Sequence, residues 1–309
     1  MEIKFYNRKD LERRINEFCD LSHICFTAQA NPGIIRQRYI ENPYEDLLMC
    51  IAEDEGRIVA NYSVVPIKIC VNGEIHKAAL SLNTMTHPQY EGKGLFVRLA
   101  SSLYDYMDTL GYAMVCGFPN NLSNGIFCAK LGWKDIYEIP TMELRLHDVS
   151  NETCRCDVHP DIGNWQRVGV DESESEGVTI FKENKYLIWR YRNHKTNKYV
   201  LSNFDERCWA IHHVYGTEMN ITEMHYGDNV QMLKKMVDYY ISLAVEQGCE
   251  KLTTWAGINT PLHSTLERKG FINRAPVRYF GGRILAYQGD IDLLDYDNWT
   301  VYMGDDNVY

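Results

Sequence analysis

The most constraining feature of the sequence is a change of hydrophobic period across residues 84–100, TMTHPQYEGKGLFVRLA. Before it, apolar runs at Leu47–Ala52, Arg57–Val71 and Ala78–Thr86 are separated by the turn signals EDEG and NG, which predicts consecutive strands joined by hairpins. After it, apolar residues recur at steps of three and four, at Phe96, Leu99, Leu103, Met107 and Leu110. The segment therefore predicts a sheet strand that breaks into a long amphipathic helix.

The rest of the sequence indicates that this α/β unit occurs twice. The first half continues with a predicted strand at Tyr112–Gly117, a short helix at Asn120–Leu131 and a strand at Ile136–Leu146. RYIENP at 38–43 is echoed by RYRNHK at 190–195, and NNLSNGIFCAKLGW at 120–133 by NTPLHSTLERKGF at 259–271. The alternative is that two unrelated α/β domains would look equally similar.

These patterns predict an α/β fold of two domains in tandem, each with a central, mostly antiparallel sheet flanked by helices. The length of 309 residues fits two domains. We place the first at 1–149, a linker or surface loop at 150–178, where an acidic run lies, and the second at 179–309.

Charge and composition narrow the classes of partner. The formal net charge of -10 disfavours nucleic acid as the main partner, because such a surface repels phosphate backbones. No apolar signal segment or membrane span is evident, and the ten cysteines fall mostly in apolar runs, which favours a cytoplasmic protein with reduced thiols. Cys154 and Cys156, near His159, have C-x-C spacing without a second ligand pair, so we expect no metal.

The glycine-rich turn predicts a pyrophosphate site. Such a turn directs free backbone N–H groups at one point, and the dipole of the following helix adds partial positive charge there. Gly92 and Gly94 lack a Cβ and let an anion approach closely, while Lys93 adds a mobile cation. Position 97 is Val97, so the third glycine of a dinucleotide-binding turn is missing, and the P-loop pattern is absent too.

At this point the sequence resembles the GNAT acyl-CoA N-acyltransferases. QYEGKG at 89–94 fits the Q/R-x-x-G-x-G/A signature of that family, and NNLSNGIFCAKLGW looks like its second element. The resemblance covers residues 45–146 closely and residues 180–309 only in outline. It implies tandem GNAT-like domains, the second degenerate, and direct attack of a small amine on acetyl-CoA or another acyl-CoA.

The resemblance also implies roles for individual residues. The residues at the pyrophosphate positions are Gln89, Gly92 and Gly94, with Lys93, Leu95 and Phe96 supplying further N–H groups. The backbone of Met85 and His87 would pair with the pantetheine arm, and Asn121 falls on the helix-entry Asn that contacts the cofactor.

The catalytic residues are less well defined by the sequence. The family's usual Tyr, which often protonates the departing thiolate, is replaced by Cys128, which either serves as the acid or is plain packing. Candidates for the base are His87 and Tyr62, and Asn83 could orient a water; His87 could equally be an exposed loop residue, and Tyr62 a core residue.

The second half lacks a matching turn, since it offers only Gly227 followed by Asp228, whose charge would oppose a pyrophosphate. We therefore expect one CoA site per chain, with the second domain shaping the acceptor pocket or a dimer contact. Two rival hypotheses are a non-catalytic acyl-CoA sensor and an aminoacyl transferase of the Fem type, which would have no affinity for CoA.

Overall fold

The structure, a computed structural model, describes residues 1–26, 30–44, 47–148, 158–166, 176–275 and 278–306. The chain divides into two compact units, neither of which is contiguous in sequence. The first unit comprises Met1–Tyr137, Ser173–Phe181 and Arg278–Trp299. The second comprises Glu138–Glu172, Lys182–Val277 and Thr300–Tyr309.

Sixteen strands and eight α-helices make up the described residues. The strands are β1 Glu2–Tyr6, β2 Leu48–Asp54, β3 Arg57–Val71, β4 Glu74–Thr86, β5 Met114–Gly117, β6 Lys134–Glu138, β7 Thr141–Arg145, β8 Asp161–Ile162, β9 Val178–Ile180, β10 Val200–Asn203, β11 Trp209–Tyr215, β12 Glu218–His225, β13 Lys251–Trp255, β14 Ile272–Arg274, β15 Tyr279–Ile284 and β16 Trp299–Thr300. The helices are α1 Arg8–Arg13, α2 Ile15–Cys25, α3 Pro32–Ile35, α4 Leu95–Thr109, α5 Asn121–Leu131, α6 Asn184–Leu187, α7 Val230–Glu246 and α8 Pro261–Arg268.

The sheet of the first unit runs in the order β1-β2-β3-β4-β5-β15-β6, with β9 added on β3. Neighbouring strands are antiparallel from β1 to β4, and β4 and β5 are parallel. Helix α4 connects that parallel pair and buries one apolar stripe against the sheet, as its period predicts. The buried residues of the stripe are Leu95, Leu99, Ala100, Leu103, Tyr104 and Met107.

Strands β4 and β5 separate before β4 ends. Their pairing covers only Ala78–Leu80 opposite Met114–Cys116, whereas β4 continues to Thr86. Within that stretch the register of β4 against β3 shifts, and Asn83 takes a left-handed φ of +47°. The shift is a β-bulge, which re-aims the backbone next to the gap between the strands. We call the point where the two strands part, beside Ser81 and Gly117, the fork.

The sheet of the second unit repeats this order with strands from the second half. Its order is β14-β7-β13-β12-β11-β10-β8, so β10, β11, β12 and β13 stand where β2, β3, β4 and β5 stand in the first sheet. Strands β12 and β13 are parallel, as β4 and β5 are, and α7 connects them. A π-helical turn precedes β2 in the first half, at Arg36–Ile40, and β10 in the second half, at Ile188–Arg192. The predicted repetition of one α/β unit, with mostly antiparallel sheets, is confirmed.

The two halves exchange one strand each, which corrects the predicted boundaries. β7 follows the first unit along the chain but lies in the second sheet between β13 and β14, and β15 lies in the first sheet between β5 and β6. The predicted strand Ile136–Leu146 is two strands, because Pro140 has no N–H for a sheet ladder. A division into 1–149 and 179–309 is therefore wrong. Much of the predicted linker, including Cys154, Cys156 and most of the acidic run, lies outside the described residues.

Among the described residues, none of the helices has the length and apolarity that crossing a bilayer requires. Likewise, no group of three His, Cys, Asp or Glu side chains within the described ranges is arranged to hold a metal ion. The eight described cysteines are free thiols.

Two adjacent histidines of the second unit are buried in β11. His212 and His213 are 2% and 5% exposed, and within the described part of the chain His212 Nδ1 and His213 Nε2 have no hydrogen-bond partner. Burial lowers the pKa of each ring to about 4, helped at His213 by the charge of Arg190. Both rings are therefore neutral in the folded protein at neutral pH.

We predict that this histidine pair makes the second unit lose stability in acid. The unfolded chain protonates histidine below about pH 6.5, whereas the folded chain does so only near pH 4, so stability falls across that window. The expected loss is about 2 kcal/mol for each ring at pH 5. Asp305, whose pKa burial raises to about 6, opposes part of this trend.

Urea unfolding between pH 7 and pH 5, followed by hydrogen exchange in the β11 peptides, measures the loss. His212→Gln/His213→Gln should flatten the pH dependence, and His76→Gln, a half-exposed histidine of the first unit, should leave it unchanged. A double variant as acid-sensitive as the parent would contradict the assignment.

Candidate active site

The turn between β4 and α4 is held in shape by its own residues. His87 Nδ1 accepts the Gln89 N–H at 3.2 Å, and one turn of 3-10 helix follows at Pro88–Tyr90. Tyr90 donates from its hydroxyl to Asp54 Oδ2 at 2.7 Å, which lowers the pKa of that carboxyl and ties the turn to the end of β2. Lys93 Nζ lies 4.3 Å from the centre of the Tyr90 ring.

The two glycines of the turn adopt conformations that other residues rarely take. Gly92 has φ +73° and Gly94 has φ +70°, and a Cβ at either position would meet no atom within 4 Å. The space next to each glycine Cα is therefore unoccupied by other protein atoms. Glycine is required at these positions by the left-handed backbone conformation and not by close packing. Gly94 stands directly before α4 and has no side chain to cap the helix.

The amides of this turn are free, as the sequence predicts. Within the described residues, none of the N–H groups from Gly92 to Val97 has an acceptor; the first helical hydrogen bond runs from the Arg98 N–H to the Gly94 carbonyl at 3.1 Å. A helix start with unpaired N–H groups and partial positive charge suits an anion.

The corresponding helix start in the second unit is closed. The side chain of Asn229 accepts the Met232 N–H at 3.0 Å, and the Val230 N–H bonds to the Asp228 carbonyl at 3.1 Å. Gly227 is left-handed, with φ +51°, but it lies outside this capped turn. Asn229 therefore supplies the hydrogen-bond acceptor at the start of α7, whereas at the start of α4 a ligand would have to supply it.

The backbone of Met85 and His87 is used by the sheet, which corrects the prediction that it pairs with a ligand. The His87 N–H donates to the Val59 carbonyl at 2.8 Å, and Met85, two residues earlier, stands opposite Asn61 in the same ladder. Because backbone groups alternate along a strand, Thr86 faces away from β3 instead. Its carbonyl accepts from the Cys25 thiol at 3.3 Å.

The start of α5 is capped by Asn120, and the cofactor contact predicted for Asn121 stays a prediction. Asn120 Oδ1 accepts the Ser123 N–H at 3.1 Å and so caps the helix. Asn121 is the first helical residue, with an exposed side chain.

Tyr62 belongs to a buried network and is wrong as a candidate base. Its side chain is fully buried, and its hydroxyl lies 2.7 Å from the Tyr104 hydroxyl and 2.9 Å from Ser81 Oγ. Burial raises the pKa of Tyr62 well above its ordinary value, so it holds its proton at neutral pH. Trp133 Nε1 completes the network by donating to the Tyr104 hydroxyl at 2.9 Å.

The remaining candidates lie at three separate places. Cys128, on α5, is half-buried, and its thiol lies 3.5 Å from Asp135 Oδ1; burial and that carboxylate raise the thiol pKa, so it stays protonated. Asn83 is half-buried in the bulge, where its carbonyl accepts from Asn61 Nδ2 at 2.7 Å. His87 is part of the turn itself.

The sequence reasoning missed two members of the buried network around Tyr62, namely Ser81 and Tyr104. Ser81 lies at the fork directly after the last paired residue of β4, and neither its hydroxyl nor Tyr104 was singled out. The only available signal was Trp133 in the ending KLGW, whose indole needs an acceptor when buried.

The fold and the turn define a class of mixed α/β domain in which an open helix start follows a central strand. Residues 7–136 match the family model described as Acetyltransferase (GNAT) domain. This part of the chain therefore matches a GNAT acetyltransferase domain, in agreement with the family resemblance found in the sequence.

Solved structures agree in fold. A GCN5-related N-acetyltransferase from Kribbella flavida superposes with a TM-score of 0.69 at 11% identity, covering 92% of this chain and 71% of that one. A protein of unknown function from Enterococcus faecalis, described as a probable N-acyltransferase, and a GCN5-related N-acetyltransferase from Anabaena variabilis both have TM-scores of 0.67 at 13% identity, each covering 92% of this chain and 73% of its own. No curated protein matches the chain in sequence.

Proposed function

We propose that the first unit is an acyl-CoA-dependent N-acyltransferase, with acetyl-CoA as acyl donor and a small amine as acceptor. The observation that carries this is the run of free amides from Gly92 to Val97 at the start of α4, in a domain of the GNAT family. The open space above Gly92 and Gly94 fits a pyrophosphate, and Lys93 adds a cation beside it.

The direction of β4 supports a reaction site near the fork. Residues 81–87 of an extended strand span about 20 Å, at about 3.3 Å per residue. With the phosphates at the turn, an arm that follows β4 brings its thioester towards the fork, near Ser81 and Asn83. His87 then lies at the phosphate end, too far away to be the base, which leaves Asn83 as the better-placed residue to orient a water.

The reaction is direct transfer. The amine nitrogen forms a bond to the acyl carbon, the bond between carbon and sulfur breaks, the nitrogen loses one proton and the sulfur gains one. Holding the two reactants together supplies a large part of the rate. Assay identifies the acyl chain length and the acceptor. A second candidate function is a sensor that binds acyl-CoA without turnover; the replacement of the family's Tyr by Cys128 is the observation that favours it, and the same assay tests it.

Calorimetry with acetyl-CoA, followed by release of free CoA over a panel of small amines, tests the proposal. We expect saturable binding at one site per chain, because only α4 among the two equivalent helices has an open start, and turnover with at least one amine. Binding without turnover on any amine would favour the sensor. Absence of binding would overturn both readings.

A further inference from the structure

The network beneath the fork has one hydrogen-bond direction that leaves no buried proton without an acceptor. An indole N–H can only donate, so the Tyr104 oxygen accepts from Trp133 at 2.9 Å. Tyr104 has one proton, and within the described residues its one possible acceptor is the Tyr62 hydroxyl, 2.7 Å away; donation from Tyr104 to Tyr62 therefore avoids a buried hydroxyl proton without an acceptor. Tyr62 in turn donates to Ser81 Oγ at 2.9 Å. Ser81 is the last member of this series of hydrogen bonds: it accepts from Tyr62, and within the described residues its own hydroxyl proton has no acceptor.

The position of Ser81 places that unused proton at the fork. Ser81 is half-buried and directly follows Leu80, the last residue of β4 that pairs with β5. Opposite it, a Cβ on Gly117 would lie 3.4 Å from both the Ser81 Cβ and the Trp133 ring, so glycine there leaves the fork narrow and free of another side chain. Within the described residues, Ser81 Oγ has no hydrogen-bond partner besides Tyr62.

We propose that Ser81 is a catalytic hydrogen-bond donor to the thioester carbonyl, with Tyr62, Tyr104 and Trp133 as positioning residues. When the amine attacks, negative charge develops on the carbonyl oxygen, and a donor already aimed at that oxygen stabilises it. A chain of three hydrogen bonds that all run towards Ser81 polarises its hydroxyl and makes it a stronger donor. Ser81 keeps its proton throughout.

The inference rests on the proposed function, and its test separates the two. Acetyl-CoA labelled with ¹³C at the carbonyl is bound to the protein, and the carbonyl stretch is recorded by infrared difference spectroscopy. A hydrogen bond to the carbonyl lowers this frequency. We expect Ser81→Ala to raise the bound frequency and to lower kcat by about 10- to 100-fold, with acetyl-CoA affinity unchanged within about twofold.

Variants of the network distinguish positioning from folding. Ser81→Thr should restore the parent frequency, because it keeps the hydroxyl. Tyr62→Phe, which preserves the ring and removes the donor to Ser81, should shift the frequency part of the way. Ser101→Ala, at a half-buried serine of α4 that is not a member of the hydrogen-bonded network, should change neither quantity.

The outcomes are separate. If the parent protein does not bind acetyl-CoA, the proposed function fails. If it binds and the carbonyl frequency is the same in Ser81→Ala as in the parent, Ser81 does not touch the carbonyl and the inference is overturned, while the proposed function stands.

Discussion

Replacing Gly92 by Glu is expected to weaken acetyl-CoA binding by at least about 100-fold without unfolding the first unit. Any side chain at φ +73° is strained, but a Cβ there meets no neighbouring atom, so the fold should survive. The new carboxylate would lie beside the free amides and repel phosphate. Losing two charge-assisted hydrogen bonds, at about 1.5–3 kcal/mol each, accounts for the magnitude.

Gly227→Glu is the matched control. Gly227 is also left-handed, with φ +51° and no atom within 4 Å of an added Cβ, so the backbone strain is comparable. It lies before α7, whose start is capped by Asn229, so the Gly227→Glu variant should bind acetyl-CoA as tightly as the parent protein does. Calorimetry on both variants measures the difference. Equal affinities in Gly92→Glu and the parent would show that the turn does not hold the phosphates.

Local patterns predicted the elements that build the site. The helical period from Phe96 to Leu110 corresponds to α4, and the glycine turn leaves its amides free because Gly94 brings no capping side chain. These features are decided by neighbours in sequence, so the sequence is enough to read them. The lack of an equivalent open turn before α7 is also a local feature, because Asn229 lies only three residues before Met232, whose N–H it caps.

Features that depend on distant partners were not predictable. β7 has a strand pattern, but nothing within it tells which sheet takes it, since β13 and β14 lie more than a hundred residues further on. Tyr62 likewise reads as core or as catalytic until Tyr104, Ser81 and Trp133 are brought to its hydroxyl. The hydrophobic period of a helix or strand predicts which face is buried, but it does not predict the hydrogen-bond partners of the polar groups on that face.

The second unit contains a buried charge cluster that the sequence gives no reason to expect. Lys182 Nζ is fully buried, 2.7 Å from Asp305 Oδ1 and 3.1 Å from Glu223 Oε2. Glu223 also accepts from the Tyr191 hydroxyl and lies 3.1 Å from His225 Nε2. The two carboxylates share one cation, which raises the pKa of Lys182 and lowers that of Glu223 against the cost of burial.

Lys182→Met is therefore expected to destabilise the second unit by about 3–5 kcal/mol at pH 7, because it leaves two carboxylates buried without a cation. Those carboxyls would then have folded pKa values above their unfolded ones, so the stability that they contribute is present in acid and lost as pH rises. The difference between variant and parent should consequently shrink from pH 7 to pH 5. Urea unfolding, with hydrogen exchange in β12, measures it.

Lys185→Met is the control, because Lys185 lies three residues away with a half-exposed side chain and an ion pair to Glu183 at 3.5 Å. Exposed pairs contribute about 0–1 kcal/mol, so this variant should unfold close to the parent. Adding Asp305→Asn to Lys182→Met should recover part of the loss, since one uncompensated charge is removed while the side-chain oxygen that caps the Tyr302 N–H at 2.7 Å remains. A Lys182→Met protein as stable as Lys185→Met would mean that the carboxylates are satisfied without the ammonium group, and that the charge pairing does not hold residues 300–306 in the second unit.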